Sequence, residues 1–431
     1  MSKTTIEWCD ESLNPARGCT AVSPGCLNCY AARLATRFTA AGMAFAGLAR
    51  LKDQGRDAAG RKRPKLAVWS GEVTLVPAAL HEPLHWSPKH PKRVFVGSMT
   101  DMFHEAIPFD YIAALFAVMA VTPWVTYQLV TKRPERMAEW FRWVDSQPTR
   151  GAVPDSDPPQ HPFSVLIKAA AEHGLPIEYS RLTNLRRRNE PLASPGPAPW
   201  PLPNVHLLTS TENQETFDER VPHLLACPAV VHGISAEPLL GPIDMALGRW
   251  VRIRETIRAD RLAGVQLPGD DLEVAPGIYK AESNQLGALS IRTPGGAIGI
   301  KPGEFERLYL RWVIPGGESG PGARRCDTAW IRDLHRQTVA ANTIQACAAG
   351  GHVAFFLKQL GALAVDELYG IAGARLDLSR IPGDGVARVR RLKDGHGGDE
   401  SEWAPDLQGL RAFPIPAPLT QAQKRHLGLP D

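Results

Sequence analysis

Three cysteines near the start of the chain are the residues best suited to chemistry. Cys19, Cys26 and Cys29 fall within eleven residues. Soft thiolates at this spacing suit zinc or an iron–sulfur cluster. A structural zinc site is normally closed by four ligands, and the only other nearby thiol is Cys9. Three thiolates leave one coordination position open, as a catalytic cluster requires. The spacing therefore predicts a metal site but leaves zinc and iron–sulfur both open.

A second set of polar residues follows predicted strands. Active sites of parallel α/β sheets lie at the carboxyl ends of the strands. Hydroxyls, carboxylates and lysines recur there: Ser98, Thr100, Asp101, Lys132, Thr209, Thr211, Glu212, Glu237, Glu318 and Lys358. Any one of them could be an ordinary strand cap. Taken together with the cysteines, they predict a shared cavity at one edge of a sheet.

The elements that must position these residues alternate between strand and helix. Short runs rich in β-branched residues predict seven buried strands: Thr4–Trp8, Arg93–Ser98, Val125–Thr131, Val205–Thr209, Val230–Ser235, Arg311–Pro315 and Val353–Leu357. Helical patterns lie between them, as at Tyr111–Ala120 and Pro134–Val144. This alternation indicates an α/β fold with a parallel (β/α) barrel, complete or partial.

Two segments interrupt the alternation. Residues 147–203 are rich in proline and contain the run Arg186-Arg187-Arg188, which predicts an insertion with a stiff linker. In residues 249–308, short runs of alternating apolar and polar residues are separated by Gly and Pro. This pattern predicts a small antiparallel meander. We therefore assign the barrel to 1–146, including the cysteine loop, to 204–248 and to 309–361. Residues 362–431 then form a loop-rich tail.

Composition limits the class of protein. The 431 residues are 44% hydrophobic and 22% charged, which excludes a disordered chain, a collagen and a coiled coil. No apolar run is long enough to cross a membrane, and the first residues resemble no secretory signal. We therefore expect a cytoplasmic protein, in a compartment where thiols stay reduced. The net charge of +4 is by itself weak evidence for a polyanionic partner.

Several motifs together resemble a known family. In order, they are GCTAVSPGCLNCYAARLATRF, VFVGSMTDMFHEAIP, TKRPERM, TENQETFDERVPHLL, SAEPLLGPID, WVIPGGESGPGARR and FFLKQLG. The chain resembles a family of phage and prophage proteins of unassigned biochemical function, placed among the radical S-adenosylmethionine proteins. The likeness covers most of the chain outside the two insertions. A looser similarity is to spore photoproduct lyase.

The resemblance implies a [4Fe–4S] cluster on Cys19, Cys26 and Cys29, with S-adenosylmethionine on the open iron. Such proteins generate a 5′-deoxyadenosyl radical that abstracts a substrate hydrogen. Lys132 would pair with the methionine carboxylate. Other cofactor-binding residues would be Ser98, Thr100, Asp101, Thr209 and Thr211. Catalytic residues facing the substrate would be Glu212, Glu237 and Glu318.

The resemblance also implies partners and a setting. The electron donor would be flavodoxin- or ferredoxin-like. The substrate would be a nucleobase, a nucleotide or DNA, in a bacterial or phage-infected cell.

The sequence departs from the common radical motif, which keeps the alternative open. Six residues, rather than three, separate Cys19 from Cys26, and Gly316-Gly317-Glu318 comes much later than the usual Gly-Gly-Glu. The alternative is a zinc-stabilised nucleic-acid-binding protein that uses Cys9 as the fourth thiolate. Such a module has no need of polar strand ends.

Overall fold

The computed structural model describes residues 4, 6–56, 59–148, 161–177, 199–258, 273–283, 289–294, 296–320, 322–345, 352–366, 388–389, 394 and 396–414. The arginine run at 186–188 and Cys347 lie outside these residues. So does much of the predicted proline-rich insertion and of the tail.

Seven parallel strands form the central sheet. In chain order they are β1 Glu11–Leu13, β2 Lys92–Val96, β3 Val125–Thr131, β4 Val205–Ser210, β5 Val231–Ala236, β6 Trp312–Pro315 and β7 Ala354–Phe355. Each strand pairs with the next one along the chain, so spatial order equals sequence order. This confirms the predicted α/β class and its parallel sheet. The first strand lies later than the predicted Thr4–Trp8.

Helices and short turns cover the connections between these strands. The helices are α1 Tyr30–Ala35, α2 Pro77–His81, α3 Phe109–Val121, α4 Pro134–Ser146, α5 His161–Glu172, α6 Gln214–Ala226 and α7 Thr328–Gln345. The 3₁₀ turns are Pro24–Cys26, Thr36–Phe38, Glu82–His85, Glu400–Glu402 and Pro405–Leu407. Helix α3 is apolar on all sides and buried from Tyr111 onward, because it packs against α5 as well as against neighbouring elements. None of the helices in the described ranges is long and apolar enough to cross a membrane.

The central sheet curves strongly. The ring of Trp8 lies 4.7 Å from Phe95 on β2 and 6.1 Å from Trp312 on β6. Strands four positions apart in a flat sheet would be separated by roughly 19 Å. One side chain can contact both only if the sheet wraps around it. Trp8 therefore lies in a core enclosed by the sheet.

The described strands do not close into a barrel by pairing, since β1 pairs only with β2 and β7 only with β6. A tail segment instead runs antiparallel to β7, where Ala412 N–H donates to the Phe355 carbonyl. Its Phe413 ring lies 5.8 Å from Trp312, and the Arg93 guanidinium lies 4.0 Å from the Phe413 centroid. The tail therefore covers this end of the enclosed core.

The remaining strands are short and antiparallel, with one parallel exception. Within 249–308, three groups form: Trp250–Ile253 with Gly277–Lys280 and Phe305–Leu308; Ile257–Arg258 with Glu273–Val274; and Glu282–Ser283 with Leu289–Thr293 and Gly296–Ile300. Elsewhere, Ala16–Arg17 pairs with Thr74–Leu75, and Ala49–Lys52 pairs with Leu66–Trp69. Near the tail, Cys326–Asp327 pairs in parallel with Ala364–Asp366, which pairs antiparallel with Arg388–Val389. Residues 249–308 have a hydrophobic core of their own.

Candidate functional site

A cavity of about 190 Å³ opens at the carboxyl ends of the strands. We call it the carboxyl-end cavity. Its lining includes ten residues singled out from the sequence: Cys19, Cys26, Cys29, Ser98, Thr100, Asp101, Lys132, Glu237, Glu318 and Lys358. These residues span most of the chain, and the parallel sheet brings them to one edge.

The three cysteines come from one loop between the first strands and α1. Gly18, at φ +94°, begins this loop, and a Cβ there would lie 2.1 Å from the Glu72 carbonyl oxygen. A Cβ at Gly25 would lie 2.3 Å from Glu212 Oε1. Both distances are far below contact, so the backbone approaches its neighbours as only glycine allows. The glycines therefore hold the loop tightly against the sheet.

The three cysteines are half-buried beside charged and apolar neighbours. Burial, followed by the nearby Asp101 carboxylate, raises the pKa of Cys19 to about 12, although Arg133 Nη1 lies 3.9 Å from its sulfur and opposes this. Burial also raises the pKa of Cys29, although hydrogen bonds from the backbone N–H groups of Ala32 and Ala31 oppose this. Metals bind the thiolate form, so a bound cation must supply the charge that keeps these groups ionised.

The donor set can be compared with the two candidate metals. Within the described residues, no group of three or more Cys, His, Asp or Glu side chains is arranged around a single ion. A [4Fe–4S] cluster takes each cysteine on a different iron, so its thiolates lie farther apart than ligands of one ion. The three cysteines line one cavity, and as soft thiolates they suit an iron–sulfur cluster or zinc.

Cys9 does not extend this donor set. It is 6% exposed and belongs to the apolar core with Trp8 and Phe95, and it is not among the described residues that line the cavity. Its Sγ lies 3.7 Å from the Ile6 carbonyl oxygen. Burial raises the pKa of Cys9 to about 12. A four-thiolate zinc site would require Cys9 to leave this core.

Glu212 holds a buried cluster of charges beside the cysteine loop. Its Oε1 lies 2.5 Å from Lys132 Nζ, and its Oε2 lies 3.1 Å from Arg220 Nη1. The hydroxyl of Ser23, in the cysteine loop, also donates to Oε1 at 2.8 Å. Burial alone would raise the pKa of Glu212, but the two cations and the hydrogen bonds lower it. One carboxylate between two cations leaves a net charge of +1 at the cavity wall.

Asp101 connects the ends of β2 and β3. Its Oδ1 accepts from Phe103 N–H and the Thr131 hydroxyl at 3.0 and 2.7 Å, and its Oδ2 accepts from Lys132 N–H and Arg133 Nη1 at 2.9 and 3.2 Å. Four donors fill the acceptor sites of a carboxylate. Asp101 is therefore fully engaged in positioning the residues around it.

Ser98 and Thr100 join the sheet to the segment before the cysteines. The Ser98 hydroxyl hydrogen-bonds with the Asn14 side chain, which also accepts from Met99 N–H. The Thr100 hydroxyl donates to the Gly18 carbonyl at 2.7 Å. Both residues therefore fix the entry to the cysteine loop while they line the cavity.

The other two carboxylates lie across the cavity. Glu318 accepts from Asn28 Nδ2 at 2.9 Å and from the Arg324 guanidinium at 2.7 and 3.1 Å. Burial alone would raise the pKa of Glu318, but these hydrogen bonds lower it. Glu237 lies 2.5 Å from Lys358 Nζ. Both carboxylates are thus ion-paired, and Glu318 ties the cysteine loop to the loop after β6.

The two predicted threonines lie away from the cavity. The Thr209 hydroxyl donates to the Thr131 carbonyl at 3.0 Å, between adjacent strands. The Thr211 hydroxyl is buried and has no hydrogen-bond partner in the described part of the chain. Neither residue is among the described residues that line the cavity. Glu212 does not line it either, but its carboxylate pairs with Lys132, which does.

Residues to which the sequence analysis gave no role also shape the site. Arg133 contacts Cys19, Asp101, Glu105 and the Thr20 carbonyl. Trp69 lines the cavity and contacts Cys29. Arg133 adjoins Lys132 at the same strand end, so its position was a usable signal. Trp69 lies forty residues beyond Cys29, and no spacing rule connects the two.

Trp69 ends a hairpin that carries unusual charge. We call residues 49–69 the basic hairpin, after its paired strands Ala49–Lys52 and Leu66–Trp69. It contains seven Lys or Arg and two Asp, a net charge of +5, against +4 for the whole chain. All seven basic side chains belong to exposed residues. The rest of the chain therefore has almost no net charge.

Exposed apolar side chains lie in the same part of the chain. Of the eight large exposed hydrophobic residues in the described ranges, seven lie between Val22 and Leu51. They include Tyr30 and Phe38, on and just after α1. Scattered exposed apolar residues are ordinary, but two of these seven, Val22 and Tyr30, also line the carboxyl-end cavity.

Comparison with known proteins gives a family but no characterised relative. No curated protein matches the chain, and no solved structure matches it. The family described as a protein of unknown function (DUF5131) matches residues 3–405, which is nearly the entire chain. The chain therefore belongs to the DUF5131 family.

Proposed function

We propose that the protein is a radical S-adenosylmethionine enzyme whose Cys19, Cys26 and Cys29 hold a [4Fe–4S] cluster. The observation that carries the proposal is that one loop brings three cysteines to a cavity lined by polar strand ends, with no fourth among the described residues that line it. When bound, the cluster and S-adenosylmethionine supply one-electron cleavage of the sulfonium, the source of hydrogen-atom abstraction. The curved parallel sheet is suited to a (β/α) barrel of this type.

The protein's own residues would bind and orient the cofactor. The net +1 charge of Lys132, Arg220 and Glu212 can offset the methionine carboxylate, with Lys132 as the residue that reaches the cavity. The Ser98 and Thr100 hydroxyls line the same wall. Because Asp101 has no free acceptor, we assign it a positioning role. Thr209 and Thr211, away from the cavity, would support the sheet.

The carboxylates across the cavity would face the substrate. Glu237 and Glu318 line it, and each is held in place by a cation, Lys358 and Arg324 respectively. Paired carboxylates of this kind can accept hydrogen bonds from a substrate without adding net negative charge. Glu212 is better placed to hold the cysteine loop than to touch substrate.

The basic hairpin favours a nucleic acid as substrate. A charge of +5 on 21 residues attracts phosphates, and exposed aromatic rings can stack with unpaired bases. Because Trp69 ends the hairpin and also lines the carboxyl-end cavity, a strand bound there would pass the cavity mouth. A flavodoxin- or ferredoxin-like protein in a reducing cytoplasm would supply electrons.

Metal analysis tests the proposal. Anaerobically purified protein should be brown and contain iron and sulfide. Cys26→Ala should lose both, while Cys227→Ala, in the buried core far from the cavity lining, serves as the matched control. Full iron in Cys26→Ala would contradict the proposal.

The same analysis tests the zinc alternative. A zinc-stabilised nucleic-acid-binding protein would be colourless and would lose zinc in Cys9→Ala as well as in Cys26→Ala. The position of Cys9 in the apolar core gives the opposite expectation, that Cys9→Ala keeps its full iron content.

A further inference from the structure

A second cavity lies at the opposite, amino end of the sheet. Its volume is about 380 Å³, and it lies between the starts of β5 and β6 and the antiparallel strands Trp250–Ile253 and Phe305–Leu308. We call it the amino-end cavity. It has no lining residue in common with the carboxyl-end cavity. Its ligand can therefore be considered separately from the proposed radical chemistry.

Arg311 is a buried charge in this cavity and has no counterion among the residues that the structure describes. The residue is 8% exposed, and its backbone is fixed between strands by hydrogen bonds to His232 and Ala354. Its Nη1 is buried and has no hydrogen-bond partner, and no carboxylate in the described residues forms an ion pair with the guanidinium. The Tyr309 ring, 5.4 Å away, is a weak substitute. Burial lowers the pKa of Arg311.

The other charged groups of the cavity add to this positive charge. Arg252 and Arg307 also line it, against the single carboxylate of Glu306. That carboxylate already accepts from Arg252 at 3.3 Å and from Arg254 at 2.9 Å. His232 contributes no charge at neutral pH, because burial lowers its pKa to about 4. The lining therefore has a net charge of about +2 that the described residues do not neutralise.

We propose that the amino-end cavity binds a phosphate-class oxyanion, with the guanidinium of Arg311 as its buried anchor. A guanidinium presents several donors in one plane and pairs with phosphate through two parallel hydrogen bonds. An isolated charge taken out of water is unfavourable unless it is paired. A phosphate would supply the missing acceptor for Nη1. The ligand is either the free ion or the phosphate group of a small metabolite.

Binding of inorganic phosphate to the full chain tests the proposal. We expect saturable binding by calorimetry and a rise in melting temperature that chloride at equal ionic strength does not reproduce. Arg311→Met should weaken phosphate binding at least about tenfold, while Arg254→Met, an exposed neighbour outside the lining, should not. Arg311→Lys keeps the positive charge but loses the planar set of donors. Its affinity for phosphate should therefore lie between those of the wild type and Arg311→Met.

The outcomes separate the sources of the ligand. Tighter binding of adenosine 5′-monophosphate than of inorganic phosphate, lost in Arg311→Met, indicates a phosphorylated metabolite, and equal binding indicates the free ion. Absence of saturable phosphate binding, or equal affinity in wild type and in a folded Arg311→Lys and Arg311→Met, would overturn the proposal. None of these measurements requires the cluster or S-adenosylmethionine.

Discussion

The two ends of the central sheet differ in whether their charged side chains are paired. At the carboxyl end, Glu212, Glu237 and Glu318 each pair with a cation, and Asp101 accepts four hydrogen bonds. At the amino end, the guanidinium of Arg311 is buried and unpaired among the described residues. Both ends have a cavity, but only at the carboxyl end do the named charged groups have ion-pair partners in the described part of the chain.

This difference indicates what each set of charges does. Charges that are paired with one another hold loops in place, and the paired carboxylates of Glu212 and Glu318 each accept a hydrogen bond from the cysteine loop. The groups there without a strong partner are the thiols, which is where we place the chemistry. At the amino end the unpaired charge itself indicates a ligand.

The largest effect should come from breaking the buried cluster at Glu212. Glu212→Ala leaves Lys132 and Arg220 without their carboxylate, and removing one partner from such a buried set costs about 3–5 kcal/mol. We expect this loss in the free energy of unfolding, measured with denaturant. Glu306→Ala, which breaks only partly exposed pairs at the other end, should cost less than about 1 kcal/mol. Equal costs would remove the contrast between the two ends.

The next effect concerns the net charge beside the cysteines. Lys132→Ala should leave iron content unchanged but weaken S-adenosylmethionine binding by roughly two decades, equivalent to about 3 kcal/mol. Lys132→Arg keeps the positive charge but should recover only part of the affinity, because a planar guanidinium does not reproduce the geometry of a compact ammonium. Anaerobic calorimetry provides the measurement. An unchanged affinity in Lys132→Ala would assign this lysine to Glu212 alone.

A smaller effect is expected from the basic hairpin. The triple variant Lys52→Gln, Arg63→Gln, Lys65→Gln should reduce the salt dependence of single-stranded DNA binding by about 2 in log–log slope. The control replaces Lys168, Arg254 and Arg336, whose side chains are 76%, 74% and 73% exposed on other elements. If both triple variants change the slope equally, the attraction of DNA is spread over the whole surface and the hairpin is not the DNA-binding site.

The smallest change in the free energy of unfolding should come from breaking the ion pair between Asp10 and Arg93, near the start of the sheet. Arg93 donates to both carboxylate oxygens of Asp10, and this hydrogen bonding lowers the pKa of Asp10 below 3.8. A lowered native pKa stabilises the fold above the unfolded pKa, and the gain disappears as pH falls through the native value. Asp10→Asn should therefore cost less than about 1 kcal/mol at pH 7 and nothing near pH 2. A cost that persists at pH 2 would indicate a role other than this ion pair.

The sequence predicted the parts of the structure that depend on local pattern. Six of the seven predicted strands overlap strands of the sheet, because runs such as Val125–Thr131 are rich in β-branched residues and are buried or half-buried on both faces. The first strand was misplaced: Thr4–Trp8 has the right residue types, but Trp8 enters the core enclosed by the sheet instead of pairing in it. Grouping of the cysteines with polar strand ends followed from the parallel topology.

Pairing between distant side chains could not be predicted in the same way. Glu212 and Lys132 look like independent strand-end residues, yet eighty positions apart they share one ion pair. Arg311 opens a strand like many other arginines, and only its burial and lack of a counterion distinguish it. Such features depend on which loops meet, and that is a property of the tertiary fold.

The central claim is that the three cysteines support radical chemistry on S-adenosylmethionine. The most direct measurement is 5′-deoxyadenosine, detected by mass spectrometry after the reduced protein is incubated anaerobically with S-adenosylmethionine. The account predicts that wild type and Cys9→Ala form this product and that Cys26→Ala forms none. Reduced wild-type protein with a full complement of iron and sulfide that yields no 5′-deoxyadenosine, with or without single-stranded DNA, would contradict it.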